Sequence, residues 1–347
     1  MYIGAHVSAA GGVSNAPANS AAIGAEVFQF FSRSPQGGRA AELTDAEVAA
    51  FKQNMKKYKQ QAAYIHAPYF INLASTNNRI YYGSISALRS ELERGSRLGV
   101  TAMMTHLGSA RDLAGEQGSS PLGSNNKNHI LRAKGARAIE VEKYTKNAAQ
   151  KLKTKALTMV IAGITKILDG YTGSTRFLIE VSAGAGLVIG DTFEDVAKVL
   201  DALTRHPARP LRHPELHIRH PELAEGSRSA AADRIGVCLD TQHIFASGYD
   251  LRTAKAVADT LKKFDRAIGL DHLVCMHVND SKVEFDSHKD RHEHIGKGQI
   301  GLEGFRALLG NPKLQHVDCL VETPDDSKTK DLRKEDIAIL KSLRKEK

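Results

Sequence analysis

Cysteine is scarce in this 347-residue chain, and none of its three copies is spaced for pairing. Cys238, Cys275 and Cys319 form no Cys-x-x-Cys motif, and each falls inside a predicted strand. They are expected as reduced core residues, and a disulfide framework is not expected. Long apolar runs are missing too: no stretch reaches the length of a membrane span, so no membrane partner is expected. Met1-Tyr2-Ile3-Gly4 begins directly on a strand-like pattern with no basic n-region, so no signal peptide is expected and the default location is the cytoplasm. Acid is outnumbered, with 39 Asp and Glu against 48 Lys and Arg, a formal +9. The surplus is uneven. Residues 111–155 hold ten basic and four acidic residues, residues 205–232 five and three, and the rest of the chain only +1. Bulk charge is therefore poor support for a body that binds a polyanion.

What remains is ordinary for a globular chain, with 41% hydrophobic and 25% charged residues. The length suits one large α/β barrel or two ordinary domains. Periodicity gives eight apolar runs: Tyr2–Val7, Glu26–Phe31, Ala62–Ala67, Thr101–Leu107, Arg176–Val181, Ile235–Leu239, Leu273–Val278 and Asp318–Val321. Helical patterns lie between them. Thr44–Tyr58 opens on an N-cap Thr with Glu47 at the capping-box position. Arg79–Leu98 stops at Gly99. Further patterns cover Leu157–Leu168, Thr192–Leu203, Leu251–Ile268, Gly301–Leu309 and Lys334–Leu343. Eight β–α repeats with nearly continuous apolar strands predict a (β/α)₈ TIM barrel, a single domain over 1–347.

Two connections are too long for that plan, and insertions are expected at about 111–155 and 205–232. The second repeats Arg-His-Pro at 205, 212 and 219. Proline at that period excludes a regular helix or coiled coil. The segment reads as an inserted surface loop at the stability end of the barrel, away from the chemistry.

The informative stretch is IGVCLDTQHIFASGYDLRT, residues 235–253. A buried strand ends on Asp240, His243 follows three residues later, then a turn at Gly248 and a helix. Asp and His at a strand tip offer ligand atoms to a cation, though one such pair is also a common hydrogen bond. The other tips repeat the theme. His66, His106, Glu180, His277 and Glu322 close five more strands, and Asp290 and His292 follow the seventh. Single buried charges are expensive unless paired or metal-bound, so six strand tips in register argue for metal. Five His, two Asp and two Glu are too many for one tetrahedral site and suit two or three ions with a bridging carboxylate. Paired cations are a common device for cleaving phosphodiesters.

These motifs resemble the endonuclease IV family of zinc-dependent apurinic/apyrimidinic endonucleases. The matching residues are Gly4-Ala5-His6-Val7-Ser8 with Gly11-Gly12, and His66 with Tyr69 to Leu73. They continue with His106-Leu107-Gly108-Ser109, Glu180 with Ala183-Gly184, and Gly236 through Arg252. Met276 to Asp280, Asp290-Arg291-His292 with Ile295 to Gly298, and Glu322-Thr323 complete the set. The resemblance covers the whole chain except the two surplus segments. It implies a monomer of bacterial or archaeal type with three Zn²⁺ per chain. His66, His106 and Glu180 would hold one ion. Glu180, Asp240, His277 and Glu322 would hold the second, and His243, Asp290 and His292 the third. Glu180 and Glu322 would be catalytic. The implied reaction is hydrolysis 5′ to abasic sites in duplex DNA, leaving a 3′-hydroxyl and a 5′-deoxyribose phosphate.

The resemblance also implies DNA contacts from Tyr69 and from the loop after the second strand. There Gln36 stands where the family often has Arg, with Arg33 and Arg39 as substitutes. His6 is expected to be supporting or structural. Gly296-Lys297-Gly298-Gln299-Ile300-Gly301 fits GxGxxG, but the charged segment before it is no strand, which argues against a dinucleotide site. Its glycines are expected to let the backbone pass close to the site. Two other readings remain open: a divalent-metal sugar isomerase or epimerase on the same barrel, and a catalytically dead DNA- or metal-binding barrel.

Overall fold

The computed structural model describes residues 1–38, 40–116, 138–205, 234–324 and 331–345. Eight parallel strands close into a barrel: β1 (Ile3–His6), β2 (Val27–Phe30), β3 (Ala62–His66), β4 (Ala102–Thr105), β5 (Arg176–Glu180), β6 (Ile235–Asp240), β7 (Leu273–His277) and β10 (Asp318–Val321). All eight coincide with the apolar runs read from the sequence. The chain is a TIM barrel. Between β7 and β10 lies an antiparallel hairpin of two short strands, β8 (Asp280–Ser281) and β9 (His292–Glu293).

The helices are α1 (Ala16–Ala22), α2 (Asp45–Lys57), α3 (Asn78–Leu98), α4 (Arg111–Glu116), α5 (Ala138–Leu168), α6 (Phe193–Arg205), α7 (Thr241–Ala246), α8 (Ala254–Ala267), α9 (Gly301–Leu309) and α10 (Arg333–Lys345). The Thr44 side chain accepts from Glu47 N as the capping pattern requires, and Gly99 ends α3 with φ 79°. Short helices were less legible. In α7 every residue is buried, so no amphipathic period marks it. His243 therefore sits on the first turn of a helix, not on a loop.

The basic part of the first surplus segment is helical from residue 138 on. Residues 138–155 are the first half of α5, continuous with the predicted Leu157–Leu168. Leu113, Ala114 and Leu152 are buried, and Lys153 Nζ meets Asp191 Oδ1 at 2.6 Å. Residues 117–137 and 206–233, the latter including the Arg-His-Pro repeats from His206 on, lie outside the described residues.

Apolar side chains between strands and helices form the main core. A second, separate cluster joins Val27, Tyr64, Met104, Leu178, Cys238, Cys275 and Leu320 with Ala102. These residues come from seven different strands, which places them inside the barrel. On β1 the matching place is Gly4, where a Cβ would lie 1.7 Å from Val27 O. The three cysteines are free and buried. Among the described residues no helix is long and apolar enough to cross a membrane.

Candidate metal centre

Side chains on a strand alternate faces, so residues two apart point the same way. Two positions beyond Val27, Tyr64, Met104, Leu178, Cys238, Cys275 and Leu320 stand Gln29, His66, His106, Glu180, Asp240, His277 and Glu322, and two beyond Gly4 stands His6. The inner face thus changes from apolar to polar at one level, at the C-terminal ends of the strands. That is the end where such barrels do chemistry.

Ligand atoms gather there in three overlapping groups: His66, His106 and Glu180; Glu180, Asp240, His277 and Glu322; and Asp240, His243 and His292. Within each group the ligand atoms lie within 4.8 Å of one another. Glu180 is shared by the first two groups. Asp240 is shared by the second and third, a link that spacing along the sequence does not reveal. Asp290 approaches the third group, with Oδ2 3.4 Å from His243 Nε2 and Oδ1 3.3 Å from His292 Nε2. Its side chain is 54% exposed, so it closes the group from the solvent side.

The imidazoles are held by their outer nitrogens. His66 Nδ1 donates to Ala67 O at 2.7 Å, His243 Nδ1 to Val181 O at 2.9 Å, and His292 Nδ1 to Glu322 O at 3.1 Å. Each bond occupies Nδ1 and turns Nε2 toward the cluster. Asp240 is the N-cap of α7, where its Oδ1 accepts from His243 N at 2.9 Å, so the sequence pair is locked by one turn of helix. Asn279, given no role from sequence, donates from Nδ2 to Asp240 Oδ2 at 2.7 Å and accepts from Glu322 N at 2.7 Å.

Electrostatics favour an ionised cage. Burial would raise the Glu180 carboxyl, but the surrounding imidazoles, His106 and His277 foremost, hold it well below the usual carboxylate range. Burial likewise opposes ionisation of Asp290, and the His243 beside it brings it down to about 2. In return, against burial, Asp240 and Asp290 push His243 up to about 10. Carboxylates this strongly ionised among nitrogen donors, with imidazoles already oriented, suit divalent cations.

Two cavities open near the ring. One of about 450 Å³ is lined by Tyr69, Ile80, His106, Ser182, His243 and Asp290. The other, about 560 Å³, lies between α3 and the loop after β2 and contains Arg33, Gln36, Gly37 and Phe70 but no member of the ligand groups. Of these two, the smaller one opens on the cluster. Tyr69 is 70% exposed and packs edge-on against Phe31 at 5.2 Å. The Arg33 guanidinium lies over the Phe70 ring at 5.9 Å and donates to Gly38 O. Gln36 is exposed, and Arg39 lies outside the described residues.

The GxGxxG segment wraps a carboxylate of the chain itself. Asp280 accepts from the backbone N–H of Gly296, Gly298 and Ile300 at 2.9, 3.1 and 2.9 Å. A Cβ on Gly298 would stand 2.6 Å from Asp280 Oδ1, so glycine is required there.

Comparison with known proteins agrees with this geometry. Residues 17–343 match the model of a family described as xylose isomerase-like TIM barrel. A relative from Campylobacter concisus (strain 13826), named "Probable endonuclease 4", is 33% identical over 348 residues, covering 100% of this chain and 99% of its own. Another of that name from Chlorobium phaeobacteroides (strain BS1) is 32% identical over 99% of this chain and 97% of its own. The crystal structure of endonuclease IV from Thermus thermophilus superposes with a TM-score of 0.69 at 27% identity, covering 99% of this chain and 98% of that one. The barrel, its polar ring and these relatives agree: the chain belongs to the endonuclease IV family, within the xylose isomerase-like TIM barrels.

Proposed function

We propose that this protein is a zinc-dependent endonuclease of DNA repair that hydrolyses the phosphodiester 5′ to apurinic/apyrimidinic sites in duplex DNA. The products are a 3′-hydroxyl and a 5′-deoxyribose phosphate. The observation that carries the reading is the row of three ligand groups joined through Glu180 and Asp240. Three Zn²⁺ per chain would be held by His66, His106 and Glu180; by Glu180, Asp240, His277 and Glu322; and by His243, His292 and Asp290 with Asp240 beside them. When bound, such cations supply Lewis acidity toward the phosphodiester and water and offset charge on the departing oxygen.

The chain's own part is orientation, exclusion of water and grip. Pinned imidazoles keep their ligand nitrogens aimed inward without rearrangement. The apolar layer beneath the ring keeps water from the floor of the site and strengthens every interaction above it. Tyr69 offers an exposed ring at the rim, suited to packing against an opened duplex. Arg33, Gln36 and Arg39, on one loop, would meet the DNA backbone; Gln36 offers hydrogen bonds but no charge.

A sugar isomerase or epimerase would need one or two cations and leave His243, Asp290 and His292 without a task. The test is incision of a duplex carrying one abasic site, with the product ends identified, before and after chelation. Chelator-sensitive cleavage on the 5′ side is expected. Intact duplex with zinc-loaded protein would refute the proposal.

A further inference from the structure

Each barrel strand sends one polar side chain to the ring. Six are ligand candidates, and the other two, His6 of β1 and Gln29 of β2, face each other in register. Gln29 is fully buried. A buried primary amide is costly unless its hydrogen bonds are made, and this one makes three. Its Nε2 lies 2.6 Å from Glu322 Oε1 and 2.9 Å from His6 Nδ1. Its Oε1 lies 2.7 Å from His277 Nε2.

These contacts fix the protons one after another. An ionised carboxylate only accepts, so the amide atom facing Glu322 is the nitrogen. The atom facing His277 is then the oxygen, which also only accepts. Nε2 of His277 must carry a proton, which leaves Nδ1 as the nitrogen a cation would take in place of the proton that the neighbouring carboxylates otherwise draw there. There Nδ1 stands 2.9 Å from Glu180 Oε1 and 3.0 Å from Glu322 Oε2. His66, His243 and His292 do the reverse, with Nδ1 on a backbone carbonyl and Nε2 inward. For His277 the acceptor is a side chain from across the barrel. His6 accepts the second amide N–H at Nδ1, so its own proton is on Nε2 and neither nitrogen is free to be a ligand.

We propose that Gln29 is a positioning residue of the metal centre: its amide selects Nδ1 of His277 as ligand atom and ties His277 and Glu322 into one cation group. This rests on the three-cation reading above, but it is tested without turnover. In zinc-loaded protein carrying ¹⁵N-histidine, long-range ¹⁵N–¹H NMR should show His277 with its proton on Nε2 and zinc on Nδ1. In competition against a chromophoric chelator, Gln29→Leu should lose about tenfold or more in affinity at one binding step and keep the others. Gln29→Glu, which sets a second acceptor against Glu322, should lose more. A proton on Nδ1 of His277 in the zinc-loaded parent, which needs no variant to fold, overturns the proposal. So do parental affinities in a folded Gln29→Leu protein. A parent that takes up no zinc overturns the three-cation reading and this proposal with it; the two failures are thereby told apart.

Discussion

Strand β10 has a carboxylate at its base and another just past its tip, and their surroundings shift them in opposite directions. Asp318, at the base, accepts from Tyr64 Oη at 2.8 Å and from Tyr2 N at 3.0 Å. Neither donor carries a charge, and burial pushes this carboxyl up. Glu322, past the tip, is also withdrawn from water, yet His277 and its neighbours hold it well below the usual carboxylate range. Burial without a cationic partner weakens an acid's hold on its charge; a cage of imidazoles strengthens it. Only the second arrangement offers anything to a dication. The same contrast runs round the barrel between the polar ring and the apolar layer two residues beneath it. One level is built for chemistry and the other for packing, and substitutions should separate them.

The largest effect is expected in the ring. Glu180→Gln replaces the carboxylate shared by two ligand groups with an amide, a poor bridge. Removing a ligand should exceed the 10–100-fold that a ligand's hydrogen-bond partner is worth, so abasic-site incision should fall by more than about 100-fold while the far-ultraviolet circular dichroism keeps its barrel signature. Near-normal incision would remove Glu180 from its assigned place.

One level lower the order reverses. Met104→Ala empties space in the inner cluster, where Met104 is fully buried. Unfolding in denaturant should show a loss of about 2–5 kcal/mol, with zinc bound per folded chain unchanged. A variant that keeps its stability but loses zinc would erase the division between the two levels.

The base of β10 gives a smaller, pH-dependent effect. Because the folded Asp318 carboxyl is raised above its ordinary 3.8, the folded state holds the proton more tightly than the unfolded one. Its contribution is favourable below the unfolded value and is lost as pH rises through the raised folded value. Asp318→Asn should therefore gain on the parent between pH 4 and pH 7 in denaturant melts. A constant difference across that range would mean that Asp318 stays ionised.

The smallest effect belongs to the rim. Gln36→Arg adds a charge to an exposed position of the loop after β2. If that loop meets DNA, the salt dependence of abasic-duplex binding by the metal-free protein should steepen by about one phosphate contact. Single-turnover incision by the zinc-loaded form should barely change. An unchanged salt slope would place Gln36 off the DNA.

Most of the barrel was legible because strand periodicity is local. So were the tips: all nine candidate ligands come together, since in a parallel barrel the chain itself delivers each strand end to one rim. What escaped depends on contacts far apart in sequence. Gln29 meets Glu322 across 293 positions and His277 across 248. A signal for it existed in the two-residue register of β2, but glutamine is no ligand and drew no attention. The sharing of Asp240 between two groups follows from the hairpin β8–β9, whose strands are too short to leave a pattern. Asp280 reads in the sequence as the end of a strand-tip motif, whereas its carboxylate organises the Gly296–Gly301 loop.

The central claim is that the ring holds a row of three cations. Its most direct test is the zinc content of the folded chain at saturation, after removal of loosely bound metal. Three zinc ions per chain are expected, falling below three in Glu180→Gln. Saturation at one ion, or none, would contradict a centre in which Glu180 and Asp240 are each shared between neighbouring sites.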